Sequence, residues 1–251
     1  MSQQPSILIT GGSGGIGSAA AKACAAKGAR IAIHYNSHKD RAEAVLAELP
    51  GDGHRIYQGD ITDPEVVQQL IEDVHNDFSG LDVLVNNAGI SQRQNISEID
   101  YATWQSTWHK IMQTNLTSTA NLSFCASQKM LQQGGGRIVN ISSRGAFRGE
   151  PLMPWYGASK AGMNALGQSM AQALGPKSIF IYTVAPGFVE TEMATSILTT
   201  PEGDLIRNQS PMGRVAQPEE IASTIAFLAL EAPEFMTGSI IDVNGASYLR
   251  S

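Results

Sequence analysis

Seven short apolar runs rich in β-branched residues recur along the chain, each separated from the next by a longer stretch of helical pattern. They are Ile7-Leu8-Ile9, Ile31-Ala32-Ile33, His54 to Gln58, Val83-Leu84-Val85, Ile138-Val139-Asn140-Ile141, Ile179 to Val184 and Ile240 to Val243. Neighbouring parallel strands need a connection long enough for a helix, so this alternation points to βαβ units and a parallel sheet. The intervening patterns predict helices near Gly14 to Lys27, Lys39 to Leu49, Pro64 to Phe78, Asn115 to Gln132, Tyr156 to Leu174 and Pro218 to Leu230. Pro64 and Pro218 open their helices, where a missing N–H costs nothing. The expectation is an α/β fold of one domain, residues 1–251, with seven buried strands between helix layers. The stretch from Phe188 to Arg214 breaks the rhythm and lies beyond a strand's C-terminal end, where open α/β sheets bind ligands. It is expected to be a mobile substrate lid, about 188–214.

Composition narrows the partners. The net charge is −6 and no block of Lys or Arg is dense enough to follow a phosphate backbone, so nucleic acid is not expected as a partner. The longest apolar stretch, Ile221 to Leu230, is interrupted by Ser223 and Thr224 and is too short for a bilayer, so no membrane partner is expected either. The five histidines show no metal-ligand spacing, and no metal is expected. Cys24 and Cys125 fall within helical patterns, as reduced, buried packing thiols would. An apolar strand begins by Ser6, which a cleaved leader would remove, and a cytoplasmic location is the expectation.

Thr10-Gly11-Gly12-Ser13-Gly14-Gly15-Ile16-Gly17 follows the first strand and opens the first helix. Glycines there let backbone N–H groups and the positive helix end approach a pyrophosphate, where a Cβ would clash. Gly11, Gly15 and Gly17 are the positions that need it, with Ser13, Gly14 and Ile16 completing the turn. Asp60, followed by Ile61 after the third strand, could accept from an adenine amino group or could simply be a strand-end turn residue. An acid at the end of the second strand would bind the ribose 2′-hydroxyl and repel a 2′-phosphate. This chain has Tyr35, Asn36, Ser37, His38 and Lys39, with no carboxylate until Asp40. That favours NADP(H), with NAD(H) possible; the other reading makes Asn36 and Ser37 helix caps.

Tyr156 and Lys160 stand four apart, on one helix face, where an ammonium can lower a phenol's pKa and fit it for proton transfer to an alkoxide. Such a pair is ordinarily a surface feature. Ser143, thirteen residues earlier at the end of a strand, changes that reading because its hydroxyl can hold a substrate carbonyl oxygen. Ser142 competes for the role.

With these residues in place, the chain resembles the short-chain dehydrogenase/reductase family over essentially its whole length. Thr10 through Gly17 match the family's Thr-Gly-x-x-x-Gly-x-Gly turn, Asn86 through Gly89 its Asn-Asn-Ala-Gly, and Tyr156 and Lys160 its Tyr-x-x-x-Lys. The resemblance implies a Rossmann fold, catalytic roles for Asn115, Ser143, Tyr156 and Lys160, and cofactor contacts from Asn87, Ala88, Gly89, Pro186 and Gly187. It also implies that Val189 and Thr191 meet the nicotinamide carboxamide, and that Asn115 both bends its helix and holds a water linking Lys160 to solvent. A homotetramer is the implied assembly.

Departures from the family bear on substrate. Gly14 stands where relatives often carry a 2′-phosphate ligand. Trp104 and Trp108 lie in a segment longer than in fatty-acid-type ketoreductases, and read as core or subunit-interface groups. The end of the helix at Lys129 to Gly134 lacks the basic surface an acyl-carrier protein would want, and Lys177 alone does not restore it. Arg144, Arg148 and Glu150 either select a polar or anionic substrate or are solvated rim charges. The implied activity is an NADP(H)-preferring carbonyl reductase or alcohol dehydrogenase acting on a small-molecule carbonyl or alcohol. The alternative is a nucleotide-binding sensor or scaffold with little catalysis. An epimerase would need a larger C-terminal substrate domain.

Overall fold

Ile7, Leu8 and Ile9 are all fully buried, which only a strand covered on both faces allows. In the computed structural model, which describes residues 4–250, they form β1 (Ser6–Ile9), an inner strand of a seven-stranded parallel sheet. The others are β2 (Arg30–Tyr35), β3 (Arg55–Gln58), β4 (Val83–Asn86), β5 (Gly136–Ile141), β6 (Ile179–Pro186) and β7 (Ile240–Val243), in spatial order β3-β2-β1-β4-β5-β6-β7. Ile9 pairs with Ile33 on one side and Val85 on the other. Chain order reverses across β1 and β4, and their C-terminal ends open the crevice in which doubly wound sheets bind ligands.

Alternation along the strands builds two cores. Ile7, Ile9, Ile31, Ile33, Val85 and Val139 face α1 (Gly15–Ala25), α2 (Lys39–Ala47) and α10 (Pro218–Leu230). Leu8, Ala32, Leu84, Ile138 and Ile181 face α3 (Pro64–Phe78), α5 (Ser118–Gln133) and α7 (Pro154–Leu174). The proline-opened helices start as expected. Asp63 accepts from the Glu65 N–H at 2.9 Å, and Gln217 and Glu220 close a capping box around Pro218.

Several expectations are corrected. The helix expected from Asn115 begins far earlier, as α4 (Tyr101–Met112), passes through a π-helical turn over Gln113–Thr117, and continues as α5. Asp100 caps it, accepting from the Thr103 N–H at 2.8 Å, but only Thr107 and Ile111 of α4 are buried, so no apolar period marks it. Not all strands are buried: β3 and β7 lie at the sheet edges, each with one neighbour, and stay largely half-exposed. Cys24 is buried, whereas Cys125 is only half-buried.

The segment over 188–214 carries α8 (Glu192–Leu198) and α9 (Pro201–Arg207), closed over a small core of Ala194, Leu198, Ile206 and Val215. A further short helix, α6 (Gly145–Arg148), follows β5. Among the described residues, no helix is long and apolar enough to cross a membrane, and no cluster of His, Cys, Asp or Glu could hold a metal.

Candidate active site

The glycine turn is tied to the end of β4 by its own side chains. Thr10 Oγ1 accepts the Asn87 and Ala88 N–H groups, each at 3.1 Å, while Asn87 Nδ2 donates to the carbonyls of Thr10 and Gly11 at 2.9 and 3.1 Å. Asn86 points the other way and donates to Asn140 Oδ1 and Ser123 Oγ, each at 2.9 Å, joining β4 to β5 and α5. The two motifs, 77 residues apart, are therefore one substructure. A Cβ on Gly17 would stand 2.3 Å from the Gly11 carbonyl oxygen and 2.6 Å from Asn87 Nδ2, so only glycine lets α1 start this close to the turn. Gly11 has φ +64, and a Cβ there would press on Ala88 at 3.0 Å. This cradle fits a dinucleotide pyrophosphate, because its space exists only while side chains are absent.

One group of the cradle has no signal among the motifs. His34, buried in β2, accepts the Gly11 N–H at Nδ1 (3.3 Å) and meets the Gly59 carbonyl at Nε2 (3.0 Å). Its only trace in the sequence is an imidazole inside the apolar run Ile31-Ala32-Ile33-His34-Tyr35.

A cleft of about 390 Å³ runs from this turn to α7. Of the residues expected at the site, Gly11, Gly14, Gly15, Ile16, Asn87, Ala88 and Gly89 line it together with Ser143, Tyr156, Lys160, Pro186, Gly187, Val189 and Thr191. Thr191, the residue before α8, approaches the turn closely enough that a Cβ on Gly15 would lie 3.2 Å from its methyl.

Other expected residues stand behind or beside the cleft. Gly17 is packed under the turn, and Ser13 is half-buried beside it. Tyr35 and Ile61 belong to the two cores. Asn36 and Ser37 are exposed at the end of β2, and Asp60 is exposed, accepting from both the N–H and the hydroxyl of Thr62 at 3.0 and 2.8 Å. Those bonds hold the Asp60 carboxyl below its ordinary range, as a turn residue's would be. Asn115 sits in the π turn, fully buried. Its Oδ1 accepts the Ile90 N–H at 2.8 Å, and its Nδ2 donates to the Ile90 carbonyl at 2.9 Å and to Ser159 Oγ at 3.2 Å.

At the reacting end, Lys160 is buried and donates from Nζ to the Ile141 carbonyl at 2.7 Å, with Nζ 5.8 Å from the centre of the Tyr156 ring. Burial pushes the ammonium down to about 8. The expected lowering of Tyr156 by Lys160 is not what this geometry gives. Desolvation raises the phenol, the Ser143 hydroxyl draws it back, and the Glu150 carboxylate raises it further. Ser143 Oγ also accepts the Gly145 N–H at 3.0 Å, while the competing Ser142 is buried with its hydroxyl turned to the Lys160 carbonyl.

Trp155, beside Tyr156, is fully buried and donates to the Gln92 carbonyl at 2.8 Å. Trp104 packs edge-on to it at 5.4 Å and stacks on Trp108 at 5.8 Å; both are half-buried, outside the two cores. The rim-charge reading fails for Arg144, which is 3% exposed.

Residues 11–246 match the family model described as Enoyl-(Acyl carrier protein) reductase. The chain is 36% identical to the 3-oxoacyl-[acyl-carrier-protein] reductase FabG of Staphylococcus aureus, over 99% of this chain and 100% of that protein. Among solved structures it is similar to a dehydrogenase/reductase from Sinorhizobium meliloti 1021 (TM-score 0.89, 31% identity, 98% and 95% of the two chains). A putative gluconate dehydrogenase from Agrobacterium tumefaciens is similar to the same degree (TM-score 0.89, 30% identity, 97% and 95%).

Proposed function

The chain belongs to the short-chain dehydrogenase/reductase family, an NAD(P)-dependent oxidoreductase acting on CH–OH groups, and from that premise we propose an NADP(H)-preferring enzyme that interconverts a carbonyl and an alcohol with Tyr156 as acid and base. The observation that carries the proposal is the meeting of Tyr156, Ser143 and Lys160 with the glycine turn in one cleft. Bound there, NADP(H) supplies or accepts the hydride.

In this reading the N–H groups of the turn from Gly11 to Ile16 hold the pyrophosphate, and Asn87, Ala88 and Gly89 form the wall beside it. Val189 and Thr191 hold the carboxamide. Asn36 and Ser37 receive the 2′-phosphate, a role supported by the absence of any carboxylate between Tyr35 and Lys39. Ser143 Oγ donates to the substrate oxygen, and Tyr156 Oη gives that oxygen a proton in reduction and removes one in oxidation. Lys160 places a positive charge beside the phenol. Asn115 fixes the backbone at Ile90, beside Gly89, whose Cβ position lies 3.4 Å from Lys160 Nζ.

The 188–214 segment acts as the substrate lid. A carrier-free substrate is favoured over an acyl-carrier protein, since Lys129 is already ion-paired with Glu72 and the helix end from Lys129 to Gly134 carries no second cation. Exposed Phe124 on α5 and Phe235 and Leu249 beside β7 support a homotetramer, and two free cysteines support a cytoplasmic location.

The test is absorbance at the nicotinamide band with NADPH and with NADH against ketones, 3-oxoacyl thioesters and sugars. NADPH oxidation by wild type, lost in Tyr156→Phe while NADPH still binds, is the expected result. An active Tyr156→Phe, or a preference for NADH, overturns the mechanism or the cofactor choice respectively.

A further inference from the structure

Arg144 follows Ser143 directly, lies 3% exposed in the cleft wall, and has no carboxylate partner among the described residues. One Nη2 donates to Gln209 Oε1 at 2.5 Å, and the guanidinium lies over the Phe188 ring at 5.1 Å. An arginine has five N–H donors in a rigid fork. The others find no acceptor among the described residues. Arg148 brings a second guanidinium to the same Gln209 oxygen at 3.1 Å, also without a carboxylate.

Neighbouring cations are treated differently. Arg93, also in the cleft wall, pairs with Glu202, and Arg214 pairs through two bonds with Glu220. Burying a charge without a counter-ion is costly, and here it pushes Arg144 down to about 10, with Arg148 adding to the fall and Glu150 opposing it. The guanidinium therefore remains charged at neutral pH.

Arg144 and Phe188 line both the large cleft and a second cavity of about 70 Å³, bounded also by Ser210 and Asn244. They form the partition between the two. Glu192 in the cleft wall is matched by Arg41, which leaves Arg144 and Lys160 in that wall with Glu150 as the one carboxylate there without an ion-pair partner among the described residues, while Arg148 stands exposed outside it. This end of the cleft has a positive excess with open donors one residue from Ser143.

We propose that Arg144, seconded by Arg148 and oriented by Gln209, binds the carboxylate of the substrate, so that the natural substrate pair is a short oxo acid and its hydroxy acid. The inference rests on the reductase reading of the same cleft. A planar carboxylate matches the planar fork of the guanidinium.

The test compares 4-oxopentanoate with its methyl ester and 2-oxopropylphosphonate with its dimethyl ester, as NADPH oxidation by wild type, Arg144→Gln and Gln209→Glu. Gln209→Glu gives the two arginines an internal counter-ion without removing volume, so it is expected to fold at least as stably as wild type. Wild type should favour the carboxylate over its ester at least tenfold in kcat/KM. Both variants should erase that preference, keep the ester rate within about threefold, and leave the NADPH Kd unchanged.

An ester used as well as its acid, equal losses on acid and ester in the variants, or a phosphonate preferred to the carboxylate would each overturn the assignment. If neutral ketones are reduced and oxo acids are not, the reductase reading survives and this inference fails. If no ketone is reduced, calorimetry of the NADP⁺-loaded protein with pentanoate and pentanamide decides. Selective pentanoate binding lost in Gln209→Glu upholds the anion site while the reductase reading falls, and equal affinities overturn the site.

Discussion

His34 and Gly11 are joined by a hydrogen bond in which the imidazole Nδ1 accepts the backbone N–H of the phosphate turn, at 3.3 Å. Because Gly11 can only donate, the proton of the neutral ring sits on Nε2, which donates to the Gly59 carbonyl at 3.0 Å. Burial holds the ring's pKa below its ordinary 6.5, outweighing the Gly59 carbonyl and the Asp60 carboxylate, which raise it. A depressed pKa means the unfolded chain binds the proton more readily than the folded one. The stability His34 contributes is therefore complete above 6.5 and is lost as pH falls from 6.5 through its folded value.

In urea titrations from pH 8 to pH 5, wild type should lose stability relative to His34→Gln, which cannot titrate. A constant gap between the two would exclude this. His34→Leu strands both backbone partners and should cost about 1–3 kcal/mol.

The glycines of the turn are not equivalent. Gly14 is extended, and a Cβ there meets nothing within 4 Å, whereas a Cβ on Gly17 would collide with the Gly11 carbonyl and Asn87 Nδ2. Gly14→Ala should leave NADPH affinity within about twofold. Gly17→Ala should destabilise by about 1–3 kcal/mol, as overpacking does, and weaken NADPH by at least tenfold. Fluorescence titration of the two variants checks the contrast, and equal affinities would show that the collision is relieved without moving the turn.

Lys160 carries a buried charge that stability does not require. Lys160→Met gives up the bond to the Ile141 carbonyl but also the desolvation cost of the ammonium, so thermal stability should change by no more than about 1 kcal/mol. Turnover should fall by roughly 10²–10⁴. In wild type the raised Tyr156 phenol makes alcohol oxidation climb with pH above neutrality, since removing the substrate proton needs the phenolate. An oxidation rate flat from pH 7 to pH 9, with hydride transfer limiting, would count against Tyr156 as the base.

The sheet was legible because burial of its inner strands on two faces is written as short apolar runs such as Ile7-Leu8-Ile9 and Val83-Leu84-Val85, and the turn because glycine is demanded by close approach. α4 was not, since only two of its twelve residues are buried and its N-cap Asp100 stands in a polar stretch. Asn86 and Asn87 read as one motif but perform opposite tasks, one toward β5 and one toward the glycine turn, which only three-dimensional placement separates. Arg144 read as readily as a rim charge because exposure is not encoded in residue type. His34 stayed silent because a lone histidine in a strand carries no spacing to interpret.

The 188–214 segment is tied down across the cleft from both sides. Arg41 of α2 meets Glu192 of α8 at 2.5 Å, and Arg93, beyond β4, meets Glu202 of α9 at 2.7 Å. These pairs are exposed enough that each is worth about 0.2–1 kcal/mol and is screened by salt. Removing both in a Glu192→Gln, Glu202→Gln variant should leave the unfolding midpoint nearly unchanged, because the small core under α8 and α9 remains. The same variant should speed NADPH release about two- to thirtyfold, the factor that two such pairs supply if they break when the lid opens. Wild type in about 1 M salt should approach the variant's rate, whereas the variant should respond little to salt. Stopped-flow release at two ionic strengths separates this from a lid held by its apolar core alone, for which all four rates would coincide.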